Sequence, residues 1–464
     1  MLLQGITKMT SGNSNNSQPF YAKWANIPFS PAKMPVFYGW VIVAVSTLSI
    51  ICSVPGQTAA IGAFTDSLID ALKISRQQLS LAYMIGTIIS GLILPHAGKM
   101  LDKVGVRVMS VFSCLGLAAS LMVFANAGEI NDYLHGYFSS VYVTIGVAAF
   151  SFLLVRFFGQ GNMTMVGRVA MGKWFNHWRG IATAIAGVPI AFAFNAAPWL
   201  MNKLIELFGW QGTCILLAIA IGGGMTVIGA LLFRDNPEEC GLTMDGIGET
   251  ESIEKDSKQI HTVYRQFTRS EAIRTTAFWA FVFGLSVYSL VITAVSFNIT
   301  SIGQEMGKTK EEALKMFFYS SFISIPSRFF ISFLVDKTRL KLKFILAALG
   351  LTLFCYIFGL AWFDTGWGHL TAIIGLGLAS GTWGVLNNVT FPRYFGRKNL
   401  GAISGVNMSA MVIASAIGPA LYSYCKQWLG SYRNVSIGVL ILPMIIIVIS
   451  FVADNPQHKI KDAL

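Results

Sequence analysis

The stretch Gly98-Lys99-Met100-Leu101-Asp102-Lys103-Val104-Gly105-Val106-Arg107 is a charged turn between two long apolar runs. Residues 79–97 before it and 108–127 after it are nearly uncharged. Each is about the ~20 residues that a helix needs to cross a bilayer. A connection this short makes the two helices antiparallel neighbours. Its three cations against one acid mark the cytoplasmic side of a membrane. Gly98 and Gly105 allow tight helix contact, and an acid beside cations can form an ion-pair latch at the membrane edge. Asp102, Lys103 and Arg107 are the charged members of that latch.

Of the 464 residues, 54% are hydrophobic and only 12% charged, half the charge of a soluble domain. The chain therefore reads as an all-α polytopic membrane protein. Its net charge of +12 is not a nucleic-acid signature, because the basic residues sit in short loops beside anionic lipid. Cys52, Cys114, Cys214, Cys240, Cys355 and Cys425 form no C-x-x-C pair and read as small core residues, not as a disulfide framework or metal site. The histidines are dispersed, and no H-E-x-x-H, P-loop or Ser/His/Asp arrangement occurs. Neither catalysis, a cofactor nor ATP use is expected.

Hydropathy marks twelve segments, near 37–62, 79–97, 108–127, 139–165, 180–204, 212–233, 275–299, 314–335, 343–363, 370–390, 402–425 and 434–453. Residues 1–36 are polar, lack the apolar core of a signal peptide, and read as a disordered cytoplasmic tail with Met9 as an alternative start. Two six-helix bundles, 37–233 and 275–453, flank a solvated cytoplasmic linker at 234–274, and 454–464 form a cytoplasmic C-terminal tail. With the N-terminus inside, 24 of the 34 Lys and Arg fall on the cytoplasmic side and eight outside, which sets the orientation. Arg156 and Arg328 remain inside apolar runs.

The halves repeat. Gly98-x-x-x-Asp102-Lys103 after the second segment recurs as Ser332-x-x-x-Asp336-Lys337 after the eighth. Lys173-Trp174-Phe175-Asn176-His177-Trp178-Arg179-Gly180, ahead of the fifth, is echoed by Tyr394-Phe395-Gly396-Arg397-Lys398-Asn399-Leu400-Gly401, ahead of the eleventh. Paired loops at matching places imply a pseudo-two-fold architecture with its site between the halves. The second copy has lost its first glycine, which predicts a weaker latch there.

The G-x-x-x-D-K-x-G-x-R loop resembles the signature between helices 2 and 3 of the major facilitator superfamily. Arg156-x-x-Gly159-x-Gly161 is similar to that superfamily's helix-4 motif. Together with Phe37-Tyr38-Gly39-Trp40-Val41, Lys173-Trp174-Phe175 to Arg179-Gly180-Ile181-Ala182, and Asn236-Pro237-Glu238-Glu239-x-Gly241-Leu242 to Asp245-Gly246, it looks like the branch of monocarboxylate transporters and oxalate/formate antiporters. The resemblance runs from Phe37 to Asp454 and implies the superfamily's twelve-helix fold and a secondary carrier. Three departures concern substrate. Where mammalian-type monocarboxylate carriers have a lysine late in helix 1, this chain has Gly56-Gln57-Thr58. Where they have an acid four residues before the helix-8 arginine, it has Ser324. Oxalate/formate exchangers carry a helix-11 lysine, yet Asn407 to Tyr424 is uncharged. The branch's substrate and proton pathway are not carried over.

Burying an arginine in a membrane costs at least ~2.5–3.5 kcal/mol, so Arg328 and Arg156 need a partner or a task. Leu94 stands where Arg328 would repeat in the first half, so the repeat does not need that charge. Arg328 is the leading anion-binding residue, since its planar fork can hold a carboxylate through two parallel hydrogen bonds; snorkelling to the membrane edge is the alternative. For Arg156, anion binding and capping of helix-1 carbonyls stand side by side. None of the 22 acids sits mid-span. That absence disfavours a buried carboxylate relay and a cationic cargo. Gln57, Thr58, Tyr83, Asn195, Asn298, Asn387, Asn388 and Asn407 are polar groups that could complete a substrate cavity, although each alone is more often interhelical glue. Asp66, at the outer end of helix 1, is the candidate for proton coupling.

The expected function is transport of a small organic anion, of monocarboxylate or dicarboxylate type, across the cell membrane by alternating access, with proton coupling or exchange. Uptake or efflux of an amphipathic or siderophore-like solute is the second reading. A non-transporting solute sensor is disfavoured, because the ends are too short for a signalling domain. The expected partners are the solute and the bilayer, with the chain acting as a monomer and without metal.

Overall fold

The computed structural model describes residues 24–137, 140–246, 263–337 and 340–461, and every regular element among them is helical. Ten helices are long and apolar enough to cross a membrane, and two shorter apolar helices, Gly39–Cys52 and Arg179–Phe194, bring the spans to twelve. We number them α1 (Gly39–Cys52), α2 (Arg76–Val104), α3 (Val106–Ala125) and α4 (Val141–Trp174). α5 and α6 (179–208 and 210–232) are one helical run turned at Gly209, whose φ is 70°. The second half holds α7 (Thr276–Glu305), α8 (Lys310–Lys337), α9 (Leu342–Ala361), α10 (Gly366–Phe395), α11 (Leu400–Leu429) and α12 (Tyr432–Ser450).

The outer surface is what lipid requires. Leu81, Ile85 and Leu92 of α2 and Phe318, Phe322, Phe330 and Phe333 of α8 all point outward and are exposed, an arrangement water would penalise. Inside, α2 lies along α11 and α5 along α8, so each half supplies a wall to the other. The α2–α11 crossing is close because it is built on glycine. A Cβ on Gly401 would come within 2.6 Å of the Gly98 carbonyl oxygen, so only bare backbone fits there.

Two backbones are interrupted where they meet. α1 stops at Cys52 and passes into a 3-10 turn, Val54–Gly56, in which Pro55 offers no N–H to continue the helix. Opposite it, α4 widens into a π-helical turn over Arg156–Met163. A side chain at Gly56 would lie 2.6 Å from the Val155 carbonyl oxygen, so the broken segment is pressed against α4. Non-helical backbone at such depth is tolerated where protein covers it.

Two sequence expectations need correction. α4 does not end near 165 but runs on to Trp174, which carries Arg168 into the span. The linker after α6 is not solvated throughout: Arg234 and Asp235 are 1% and 5% exposed. Much of the expected N-terminal tail and the middle of the linker lie outside the described residues.

Candidate functional site

One face of the molecule is closed by two equivalent contacts. The Asp102 carboxylate, at the end of α2, accepts the backbone N–H groups of Gly401 (2.7 Å) and Ala402 (2.6 Å) at the start of α11. The Asp336 carboxylate, at the end of α8, accepts those of Gly180 (3.1 Å) and Ile181 (2.9 Å) at the start of α5. A helix N-terminus has unpaired N–H groups and a positive dipole end, so a carboxylate satisfies both. The acid is therefore a cap on the opposite half, not the ion pair with its neighbouring cations that the sequence suggests. Arg107 turns away to the carbonyls of Ala230, Trp24 and Ile27, and Lys103 is exposed. Gly105 takes φ +90° and starts α3 against Asp235. Lys337 crosses the halves, its ammonium 4.9 Å from the Trp178 ring centroid. Ser332 stands where the first copy has Gly98; it is buried, its hydroxyl has no partner among the described residues, and the bonds on its side are the longer pair. The Arg397–Glu238 ion pair adds a further tie across this face.

Deeper in, Arg156 is fully buried in the π turn of α4. Its Nη1 donates to the Gly56 carbonyl and to Thr58 Oγ1, both at 3.1 Å, and its Nη2 to Ser415 Oγ of α11 at 3.4 Å. Thr58 Oγ1 is 2.9 Å from the Tyr83 hydroxyl, and the guanidinium lies 5.2 Å from the Tyr83 ring centroid. Gln57 turns back to Ser53 Oγ at 3.1 Å. Arg156 thus ties the carbonyl freed by the break after α1 to both halves.

Arg328 lies between α5 and α10. A Cβ on Gly187 would overlap its Nη1, and one on Gly384 would be 2.8 Å from its Nη2. Its Nε has no partner among the described residues. Tyr288 of α7 is within coulombic reach and stacks on Trp383 of α10, with centroids 5.0 Å apart and planes at 26°. The Trp383 indole N–H is spent on the Leu285 carbonyl at 3.2 Å. Arg168 lies over the same Trp383 ring at 5.4 Å and within coulombic reach of Arg328. Two guanidiniums from opposite halves therefore share one aromatic wall. No carboxylate among the described residues pairs with either.

The remaining sequence candidates divide. Asn387 and Asn407 bond each other at 3.0 Å and both approach Met411 Sδ, while Asn388 donates to the Gly384 carbonyl beside Arg328 and its Oδ1 has no partner among the described residues. Asn298 belongs elsewhere. It donates to the Ala294 and Pro419 carbonyls and accepts from Ser423 and Tyr432, so its bonding capacity is used in joining α7, α11 and α12. Asp66 is 83% exposed and paired with Arg76, which removes the burial a proton-coupling carboxylate needs. The Asn195 side chain lies outside the described residues. Sequence reading missed Arg168, and the signal was present: the apolar run around it, Val166 to Met171, contains no other charge.

Two helical halves that cap one another on one face, above a cationic cluster at their junction, have the build of a membrane carrier. The Major Facilitator Superfamily model matches residues 46–419. The chain belongs to the Major Facilitator Superfamily, as a multi-pass membrane protein of this transporter fold. Among curated proteins no sequence matches. Among solved structures it is similar to the human organic anion transporter MFSD10 (TETRAN), with TM-score 0.57 and 14% identity, over 88% of this chain and 98% of that one. It is also similar to a bacterial homologue of the iron transporter ferroportin in its outward-facing state, with TM-score 0.60 and 13% identity over 89% and 98%. A third similar structure is the proton:xylose symporter XylE, with TM-score 0.60 and 16% identity over 89% and 94%. Likeness at these identities concerns the fold alone.

Proposed function

We propose that this protein is a secondary active transporter of a small organic anion that works by alternating access, with the latch face cytoplasmic. The carrying observation is the pair Arg328 and Arg168 at the junction of the halves, without a compensating acid among the described residues. Unpaired positive charge at membrane depth is costly, and a bound anion offsets that cost. Arg328 is the carboxylate fork, because its Nε has no partner among the described residues and its head is held between two glycines. Arg168, on the other half, contacts the cargo from the far side, so binding draws the halves together. Arg156 serves structure, since both of its terminal nitrogens are bonded, Nη1 to Gly56 and Thr58 and Nη2 to Ser415 of the other half. Charge balance favours anion exchange, or a proton carried on the cargo, over a relay through Asp66.

The test is purified protein in proteoliposomes, offered labelled monocarboxylates and dicarboxylates with and without a pH gradient or internal counter-anion. Anion uptake that is lost in Arg328→Gln, with folding retained, supports the reading. Uptake of organic cations, or unchanged anion kinetics in that variant, removes it.

A further inference from the structure

Away from the central cluster, a cavity of about 410 Å³ opens on the latch face between the start of α3 and the end of α6. Its floor is Val108, Val111 and Phe112 of α3 with Ala230 of α6, and Trp24 stands across it. Val108 and Phe112 are each 40% exposed, so the floor runs out onto the lipid-facing surface. Its head is charged: Arg107 and Arg234 line it against a single acid, Asp235.

We propose that this cavity binds an anionic phospholipid, with its phosphate at Arg107 and an acyl chain along Val108, Val111 and Phe112. The guanidinium of Arg107 spends Nε and Nη1 on backbone carbonyls, and its Nη2 has no protein partner among the described residues. The buried Arg234 has an Nε without a partner among the described residues and lies over the Phe29 and Tyr38 rings. Asp235 is one acid against two cations, and its carboxylate also accepts the Val106 N–H. The depth also suits a lipid. Phe112 lies five residues beyond Arg107, about 7 Å further into the membrane at ~1.5 Å per residue, so head and tail meet their own surroundings. A tryptophan beside the head is where the interface favours one.

The test uses the full chain, purified in detergent and exposed to phosphatidylglycerol, phosphatidylcholine or inorganic phosphate, with retained lipid read by native mass spectrometry. Phosphatidylglycerol is expected to be retained at least about fivefold better than phosphatidylcholine, the factor that one basic residue at an anionic surface supplies. Val111→Trp fills the floor without touching either arginine and should abolish the retention. Should that variant melt early, Val108→Trp on the exposed rim serves in its place. Equal retention of the two lipids, displacement of phosphatidylglycerol by free phosphate, or full retention in the filled variants would each overturn the site.

Discussion

The guanidinium of Arg328 occupies the space that a side chain at residue 187 would need, so the cation of α8 is seated against bare backbone of α5. The two residues belong to different halves, and the charge proposed to bind cargo is thereby keyed to the half-to-half interface. Gly187→Ala should push the arginine out of register, with an overpacking cost of about 1–3 kcal/mol. Anion uptake is expected to fall about tenfold or more while the purified protein still elutes as a folded species. Uptake kinetics beside size-exclusion profiles check this, and a silent substitution would show that Arg328 is not held there.

Arg168 and Arg156 lie on the same helix yet should respond differently. Arg168→Gln is expected to raise the KM for the anion with little change in thermal stability, because its described contact is the face of Trp383. Arg156→Gln should lower stability by about 2–4 kcal/mol, since it strips charged hydrogen bonds from Gly56, Thr58 and Ser415. Uptake assays paired with melting curves for the two variants separate the roles.

Asp102→Asn and Asp336→Asn each keep one acceptor oxygen and lose the charge at the opposing helix N-terminus. Loss of such a charge–dipole contact is worth about 0.3–1 kcal/mol, so either variant should populate the form open on the latch face, and the double variant more so. Spin labels at the exposed positions Lys99 and Lys398 report the separation of α2 and α11 at that face. A distance distribution indistinguishable from the parent would count against the capping role.

Asp66→Asn should leave both the rate and the pH profile of transport unchanged, because the carboxylate is mostly exposed and already paired with Arg76. A flattened pH profile in that variant would return Asp66 to the coupling path.

Apolar runs of bilayer length, the repeated Asp-Lys loops and the cationic loop bias were enough to read the twelve-helix fold and its two halves. Those features are local: each segment declares from its own residues that it leaves water. The same logic found Arg328, as a charge in an apolar run that the first half lacks. What an unpaired group meets across the molecule is not local, and there the tertiary structure decided. Asp102 sits beside Lys103 in the chain but caps residues 401 and 402. Asn298 looks like Asn388 in sequence, yet only Asn388 lies beside the arginine, because α7 turns the former toward α11 and α12. Arg168 reads as a loop residue until the length of α4 and the position of Trp383 on another helix are known. Hydropathy reports which segments enter the membrane; which faces they present to one another follows from helix packing, and that set the composition of the site.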